Sequence, residues 1–419
     1  MENLRKRNGT GLLIFLCWLL YASSYLGKVN YSANITQIVD FYGVTKSEAG
    51  LVPTFFFFSY GIGQVINGMM CKKYNVKWVV FGSLFLSGVF NLAVAVSQSF
   101  GFIKWLWLVN GFTLSLLWPS LIRLLSESLP KKDLGKSSFV MGTTVASGTL
   151  LIYGLSSLYA IFGRFKLAFF TAAFADITVS LVWLFLYGRA TSWAKSEKVR
   201  QDGEENVLQA SLPTKESKTN GKTFALLFSS LCFCAVGVNL VKDGLTTWVP
   251  SILKEEYMMP DSLSIFLTLL LLVVAIFANP AALFLHKKIP DYVSHCGFVF
   301  FIIGVLILGI IGSLTVKEAL LLLVLLVAVN FLAASLNNLI TAVFPLFMRS
   351  RGNSGLYAGV LDGFCYVGSA ISSYGIGFVA ENWGWNAVFY VLLGFCTLAC
   401  LIFPIYRLAK RRIGKKASP

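Results

Sequence analysis

A lysine stands late in the first long apolar stretch of the chain, within Tyr21-Ala-Ser-Ser-Tyr25-Leu-Gly-Lys28-Val-Asn30. On a helix, positions 21, 25 and 28 fall at i, i+4 and i+7 and share one face. A charged side chain at bilayer depth costs at least about 2.5–3.5 kcal/mol on insertion scales, so such residues face a polar cavity, a partner charge or a ligand. Two tyrosine hydroxyls and an ammonium on one stripe have the chemistry to hold an anion. The competing reading is that Lys28 snorkels to the membrane surface, since the polar run Asn30-Tyr-Ser-Ala-Asn34 follows at once. A second occurrence favours the site. In Asn239-Leu-Val-Lys242-Asp243-Gly-Leu-Thr-Thr-Trp248-Val-Pro250, Lys242 again sits late in the first span of its half, two residues after a leucine (Leu240, as Leu26 precedes Lys28). Matching interruptions in two halves of a chain point to a binding site between internal repeats.

Four further features carry possible chemistry. Tyr60 and Gln64 form an i, i+4 polar pair in the second apolar segment, suited either to the same site or to hydrogen bonding between helices. In Leu117-Trp118-Pro119-Ser120, proline removes a helical hydrogen bond and kinks the element. Trp118 is placed to stack on a ligand or to fill that kink. Asp362, in Gly355-Leu-Tyr-Ala-Gly359-Val-Leu-Asp362-Gly363-Phe-Cys-Tyr366, is a carboxylate at membrane depth, and Asp176 is a second. Each could be a lysine counter-charge, a proton-coupling group or a structural hydrogen bonder. Asp243 follows Lys242 directly, and because successive helical residues point about 100° apart it need not neutralise its neighbour.

The elements that must position these groups are membrane helices. The 419 residues are 56% apolar and only 13% charged, with a mean hydropathy of +0.73, and the apolar runs are continuous rather than alternating, which argues against a β-barrel. A helix needs roughly 20 apolar residues to cross the hydrocarbon core. Twelve stretches qualify, at about 11–33, 47–70, 77–98, 102–129, 137–162, 166–187, 223–253, 261–285, 292–314, 318–346, 354–380 and 385–406. Residues 188–222 are polar and charged and read as a linker. The expectation is an all-α membrane protein of two pseudo-symmetric six-helix bundles, 1–187 and 223–419, joined through 188–222.

The net charge of +16 records orientation rather than a nucleic-acid partner. With the N-terminus placed in the cytoplasm, 26 of the 35 Lys and Arg residues fall in the cytoplasmic loops and tails, against six in the opposite loops. This is the positive-inside pattern, with both termini inside. Eight cysteines show no disulfide or zinc spacing, and Cys232-Phe-Cys234 reads as packing. His286 and His295 flank a short loop and read as interfacial. No phosphate-cradling glycine loop, metal-ligand spacing or nucleophile elbow is present, and no cleavable leader is evident. We therefore expect no enzyme, no cofactor and no metal; the partners expected are a small anionic substrate and the bilayer.

The chain resembles the major facilitator superfamily, and within it the organophosphate:phosphate antiporters of the glycerol-3-phosphate and hexose-6-phosphate transporter type. The resemblance spans essentially all twelve segments and is carried by Tyr25-Leu-Gly-Lys28-Val-Asn30, Tyr60-Gly61 with Gly68, Trp118-Pro119, Lys242 through Trp248-Val-Pro250-Ser-Ile-Leu-Lys254-Glu255, Gly363-Phe-Cys-Tyr366-Val-Gly368 and Trp383-Gly384-Trp385. It implies alternating access about a central site, a monomer as the superfamily default, and a phosphate clamp of two basic residues that Lys28 and Lys242 would supply. Tyr21, Tyr25 and Tyr60 would line the same cavity. Departures are visible. Lysines replace both clamp arginines, which keeps charge but gives up the rigid bidentate fork. Gln64 stands where the glycerol-3-phosphate branch has lysine, about Val145 stands where it has histidine, and Lys72 replaces the acid expected in the loop after the second segment. Three functions follow: exchange of an organic phosphate for inorganic phosphate, proton- or cation-coupled uptake of a sugar acid or other carboxylate through Asp362 or Asp176, or non-transporting sensing of a phosphorylated ligand.

Overall fold

A computed structural model describes residues 9–70, 73–205, 221–347 and 354–415. They are almost entirely helical. We number the spanning helices α1 (Gly9–Ala33), α2 (Lys46–Met70), α3 (Val76–Val96), α4 (Ile103–Ser115 and Leu117–Ser128), α5 (Lys131–Gly142 and Thr144–Ile161), α6 (Lys166–Glu205) and α7 (Gly221–Tyr257). Then follow α8 (Asp261–Ala275 and Ala278–Lys288), α9 (Tyr292–Val316), α10 (Ala319–Asn338), α11 (354–383) and α12 (385–415). Ten helices of the described residues are long and apolar enough to cross a membrane, and the bent pair of α8 makes an eleventh. The twelfth emerges because the single helix Ser354–Lys415 turns at Gly384, whose φ of 77° and ψ of 176° are non-helical and need glycine. The result is a twelve-helix membrane bundle.

Local chemistry explains the ends and bends. Asn75 caps α3 by accepting from the backbone N–H of Lys77, and Asp291 caps α9 by accepting from that of Ser294. Pro119 has no N–H to offer the preceding turn, and α4 breaks at Leu116, whose N–H bonds the Thr113 carbonyl instead. One π-helical turn, Leu339–Val343, follows α10 directly after Asn337 and Asn338. Helix α6 runs on to Glu205, past the boundary expected at 187, with Glu197 accepting from Thr10 of α1. The rest of the expected linker, 206–220, lies outside the described residues, as does Lys72.

Close helix approach uses particular glycines. A Cβ on Gly61 of α2 would lie 3.0 Å from that of Tyr366 on α11, and one on Gly363 would lie 3.2 Å from Val65. Gly63 meets Ser115 of α4, whereas Gly359, four residues before Gly363 on α11, faces open space. His295, expected at the interface, is fully buried beside His286, with ring centroids 5.8 Å apart.

Polar contacts between the two halves run from the middle of the molecule to one end. There Lys46 pairs with Glu255 at 2.8 Å, and Lys254 bridges Asp40 at 2.5 Å and Asp261 at 3.0 Å. The Trp385 indole donates to Glu255, and Ser47 donates to Glu381. A cavity of about 90 Å³ sits within this cluster, lined by Thr36, Val39, Asp40, Lys46, Ser251, Lys254 and Glu255. Ser157 of α5 donates to the Ser262 carbonyl beside Asp261 at the head of α8, and about two turns into α2 Thr54 donates to the Ala370 carbonyl of α11.

Candidate functional site: two lysines between the halves

Helix α1 brings Tyr21, Tyr25 and Lys28 to one face, and α2 brings Phe56, Tyr60 and Gln64 against it. Lys28 is buried, 9% exposed, and its ammonium lies over four rings: Tyr60 at 4.0 Å, Tyr25 and Tyr366 at 5.0 Å, and Phe56 at 5.8 Å. The negative faces of aromatic rings attract a desolvated cation, by about 0.5–2 kcal/mol per contact. Lys28 also donates to the Tyr366 hydroxyl at 3.3 Å, a bond from α1 to α11 that joins the two halves. Among the described residues it forms no ion pair. Its charge is held in place but not neutralised.

The surrounding rings form a continuous wall. Tyr21 packs on Tyr25 with centroids 5.5 Å apart and on Trp118 at 4.7 Å, while Tyr60 packs on Tyr366 at 4.6 Å. Trp118 lies two residues beyond the break in α4 at Leu116. Gln64 is buried one turn beyond Tyr60, with its amide against that tyrosine's hydroxyl.

Lys242 is differently placed. Its ammonium pairs with Asp243 at 3.2 Å, because a long flexible stem can fold back to a neighbour whose Cα–Cβ bond points elsewhere. Helical phase alone does not require this pair; the fold of the lysine stem makes it. Asp243 also accepts from Ser369 at 2.5 Å and Asn239 at 3.3 Å, which anchors the pair to α11. The two lysines lie within electrostatic reach of each other, and Asp362 lies within reach of both. Asp362 is partly exposed and makes no hydrogen bond or ion pair among the described residues.

Asp176 is elsewhere. It is fully buried in the first half, accepting from Ser23 of α1 at 2.7 Å and from Ser87 of α3 at 2.9 Å. Asn91 continues this network, accepting from Asn30 and donating to the Gly27 carbonyl. Asp176 thus ties α1, α3 and α6 together behind Lys28. Three contributors escaped the sequence reading as site residues: Tyr366, Asp243 and Phe56. Tyr366 stood within a motif already noted, but its reach to Lys28 is a tertiary fact. Opposite them, the π turn after α10 borders Asn337, whose side-chain oxygen accepts from the Cys365 thiol at 3.4 Å; such turns collect at functional sites. Among the described residues no three His, Cys, Asp or Glu side chains gather as a metal site. The arrangement has the chemistry to hold a small charged solute.

Comparison with known proteins agrees with this architecture. The family profile described as Major Facilitator Superfamily matches residues 17–353 and again 231–419. A probable hexose phosphate transport protein of Chlamydia pneumoniae is 23% identical, over 96% of this chain and 92% of its own length. The glycerol-3-phosphate transporter of Bacillus subtilis is 23% identical, over 92% and 89%. Among solved structures, a bacterial homologue of the human lysosomal transporter Spinster, inward-facing and occupied, superposes with a TM-score of 0.74 at 12% identity, covering 96% of this chain and 97% of its own, which speaks to the fold alone. A twelve-helix membrane bundle with this match along its length is a transporter rather than an enzyme, and the chain belongs to the Major Facilitator Superfamily.

Proposed function

We propose that this protein is a secondary active transporter that exchanges an organic phosphate, of the sugar phosphate or glycerol phosphate kind, for inorganic phosphate by alternating access. The observation that carries the reading is the Lys28 ammonium, buried without a carboxylate partner and bonded across the halves to Tyr366, while Lys242 of the other half is shared with Asp243. The names of the Chlamydia and Bacillus relatives support it. An entering phosphate takes the Lys28 proton donor from Tyr366 and draws on Lys242, loosening the α1–α11 link, while Tyr21, Tyr25, Tyr60, Gln64 and Trp118 enclose the remainder of the solute. Asp362 moderates the charge of the two lysines. Residues 1–187 and 223–419 are the two rocking units and 188–222 their connection; the protein works as a monomer without nucleic acid. The distribution of Lys and Arg puts both termini in the cytoplasm of a cell whose plasma (inner) membrane it spans. The end closed by Lys46, Lys254 and Glu255 is then the outer one, and the conformation is inward-facing.

The test is counterflow with purified protein in proteoliposomes. Vesicles loaded with unlabelled phosphate are given labelled phosphate outside, with the proton gradient collapsed. Accumulation of label is expected. No phosphate exchange, together with gradient-driven uptake of a sugar acid that Asp362→Asn abolishes, would replace this reading with proton-coupled carboxylate symport.

A further inference from the structure

At the centre one cation and one carboxylate are without an oppositely charged ion-pair partner among the described residues, and Asp362 stands one turn before Tyr366 on α11, the residue whose hydroxyl accepts from Lys28. Lys28 is held by rings and a tyrosine hydroxyl rather than by a carboxylate. Asp362 on α11 has neither a hydrogen bond nor an ion pair among the described residues. The remaining charges, Lys242 and Asp243, satisfy each other. With all four groups ionised, two positive and two negative charges balance, so a phosphate dianion entering alone would leave the centre net negative. A solute that carries its own ammonium removes that excess and gives Asp362 the partner it lacks.

We infer that the preferred organic substrates are zwitterionic phosphates, amino sugar phosphates or aminoalkyl phosphates. The phosphate lies on Lys28 with help from Lys242, and the substrate ammonium lies on Asp362. This inference rests on the phosphate-exchange reading and narrows it to a substrate class. The rings of Tyr25, Tyr60 and Tyr366, which already hold one ammonium, are chemically suited to border a second. A solute with a hydroxyl where the ammonium should be leaves a desolvated carboxylate without a cation, and sites that lose such a partner discriminate strongly.

Two matched pairs of solutes test this. Full-length protein in vesicles loaded with labelled inorganic phosphate is offered glucosamine 6-phosphate against glucose 6-phosphate, and 2-aminoethyl phosphate against glycerol 3-phosphate, outside. Each amino compound should drive half-maximal phosphate efflux at a concentration on the order of tenfold lower than its partner. That ratio should fall towards one in Asp362→Asn and persist in Asp362→Glu. Equal potency within both pairs, with phosphate self-exchange intact, overturns the inference and leaves phosphate exchange standing. A preference that survives in Asp362→Asn overturns the assignment to Asp362. Absence of phosphate self-exchange overturns both readings. Should Asp362→Asn exchange nothing at all, the comparison of pairs in the unaltered protein decides alone.

Discussion

An ammonium ringed by Tyr25, Phe56, Tyr60 and Tyr366 is stabilised without being discharged, and that distinction governs what Lys28 can do. A carboxylate partner would have to be displaced before an anion could bind, whereas rings and one hydroxyl compete weakly. Removing the competing hydroxyl should therefore help binding. Tyr366→Phe keeps the ring and loses the 3.3 Å bond; a hydrogen bond of about 1 kcal/mol corresponds to roughly a fivefold fall in the KM for phosphate, measured as initial rates of exchange. A rise in KM would mean that the Tyr366 hydroxyl touches the anion itself. Asp176 offers the contrast. Held by Ser23 and Ser87 and away from the lysines, it is a packing group, so Asp176→Asn should lower thermal stability by about 1–3 kcal/mol while leaving KM unchanged. A dependence of transport on the proton gradient that vanished in this variant would return Asp176 to a coupling role. At this scale the sequence was partly legible. Periodicity and the cost of buried charge single out Tyr21, Tyr25, Lys28 and Lys242. Nothing local distinguishes Phe56 from its neighbours in the run Phe55–Phe58, and the Lys242–Asp243 pair depends on rotamers rather than on helical phase.

At the scale of elements, ion pairs from α7 to α2 (Glu255 with Lys46) and to the short helix Ile35–Tyr42 before it (Lys254 with Asp40) close one end of the molecule. Their side chains are partly exposed, Lys254 at 30% and Asp40 at 61%, and surface pairs contribute about 0.2–1 kcal/mol each. Lys254 serves two carboxylates, so Lys254→Ala should shift the balance between closed and open forms of this end by several-fold rather than completely. Spin labels on Glu48→Cys and Asn382→Cys, in a background without the native cysteines, would report this as growth of a longer-distance population. An unchanged distance distribution would mean that the apolar packing of α2 on α11 alone sets the state. Raising the salt concentration should act in the same direction as the substitution, because exposed charges are screened. Spans were readable to within a few residues, since length and hydropathy decide them. The run of α6 to Glu205 was not, because a polar helix beyond the membrane is fixed by contacts such as Thr10 with Glu197. Nor was the open space at Gly359, which small-residue spacing alone does not foresee.

At the scale of the molecule, twelve helices arranged as two related halves place both lysines, one from each half, at the boundary that alternating access must open and close. The duplication was visible as Lys28 and Lys242 in matching positions, because an intramembrane charge is rare enough to register twice. Which end is closed was not visible, since that follows from pairings between residues more than 200 positions apart, such as Lys254 with Asp40 and Lys46 with Glu255. In the proposed exchange, phosphate is held by this pair of lysines across the boundary. Labelled phosphate self-exchange, with gradients collapsed, tests it most directly in Lys28→Ala and Lys242→Ala proteins shown to insert normally. Loss of a charge-assisted hydrogen bond to the substrate, about 2–3 kcal/mol, predicts a fall in kcat/KM on the order of 30- to 150-fold for Lys28→Ala, and a smaller one for Lys242→Ala because Asp243 already shares its charge. Self-exchange at the full rate in both variants would mean that the two lysines do not hold the phosphate.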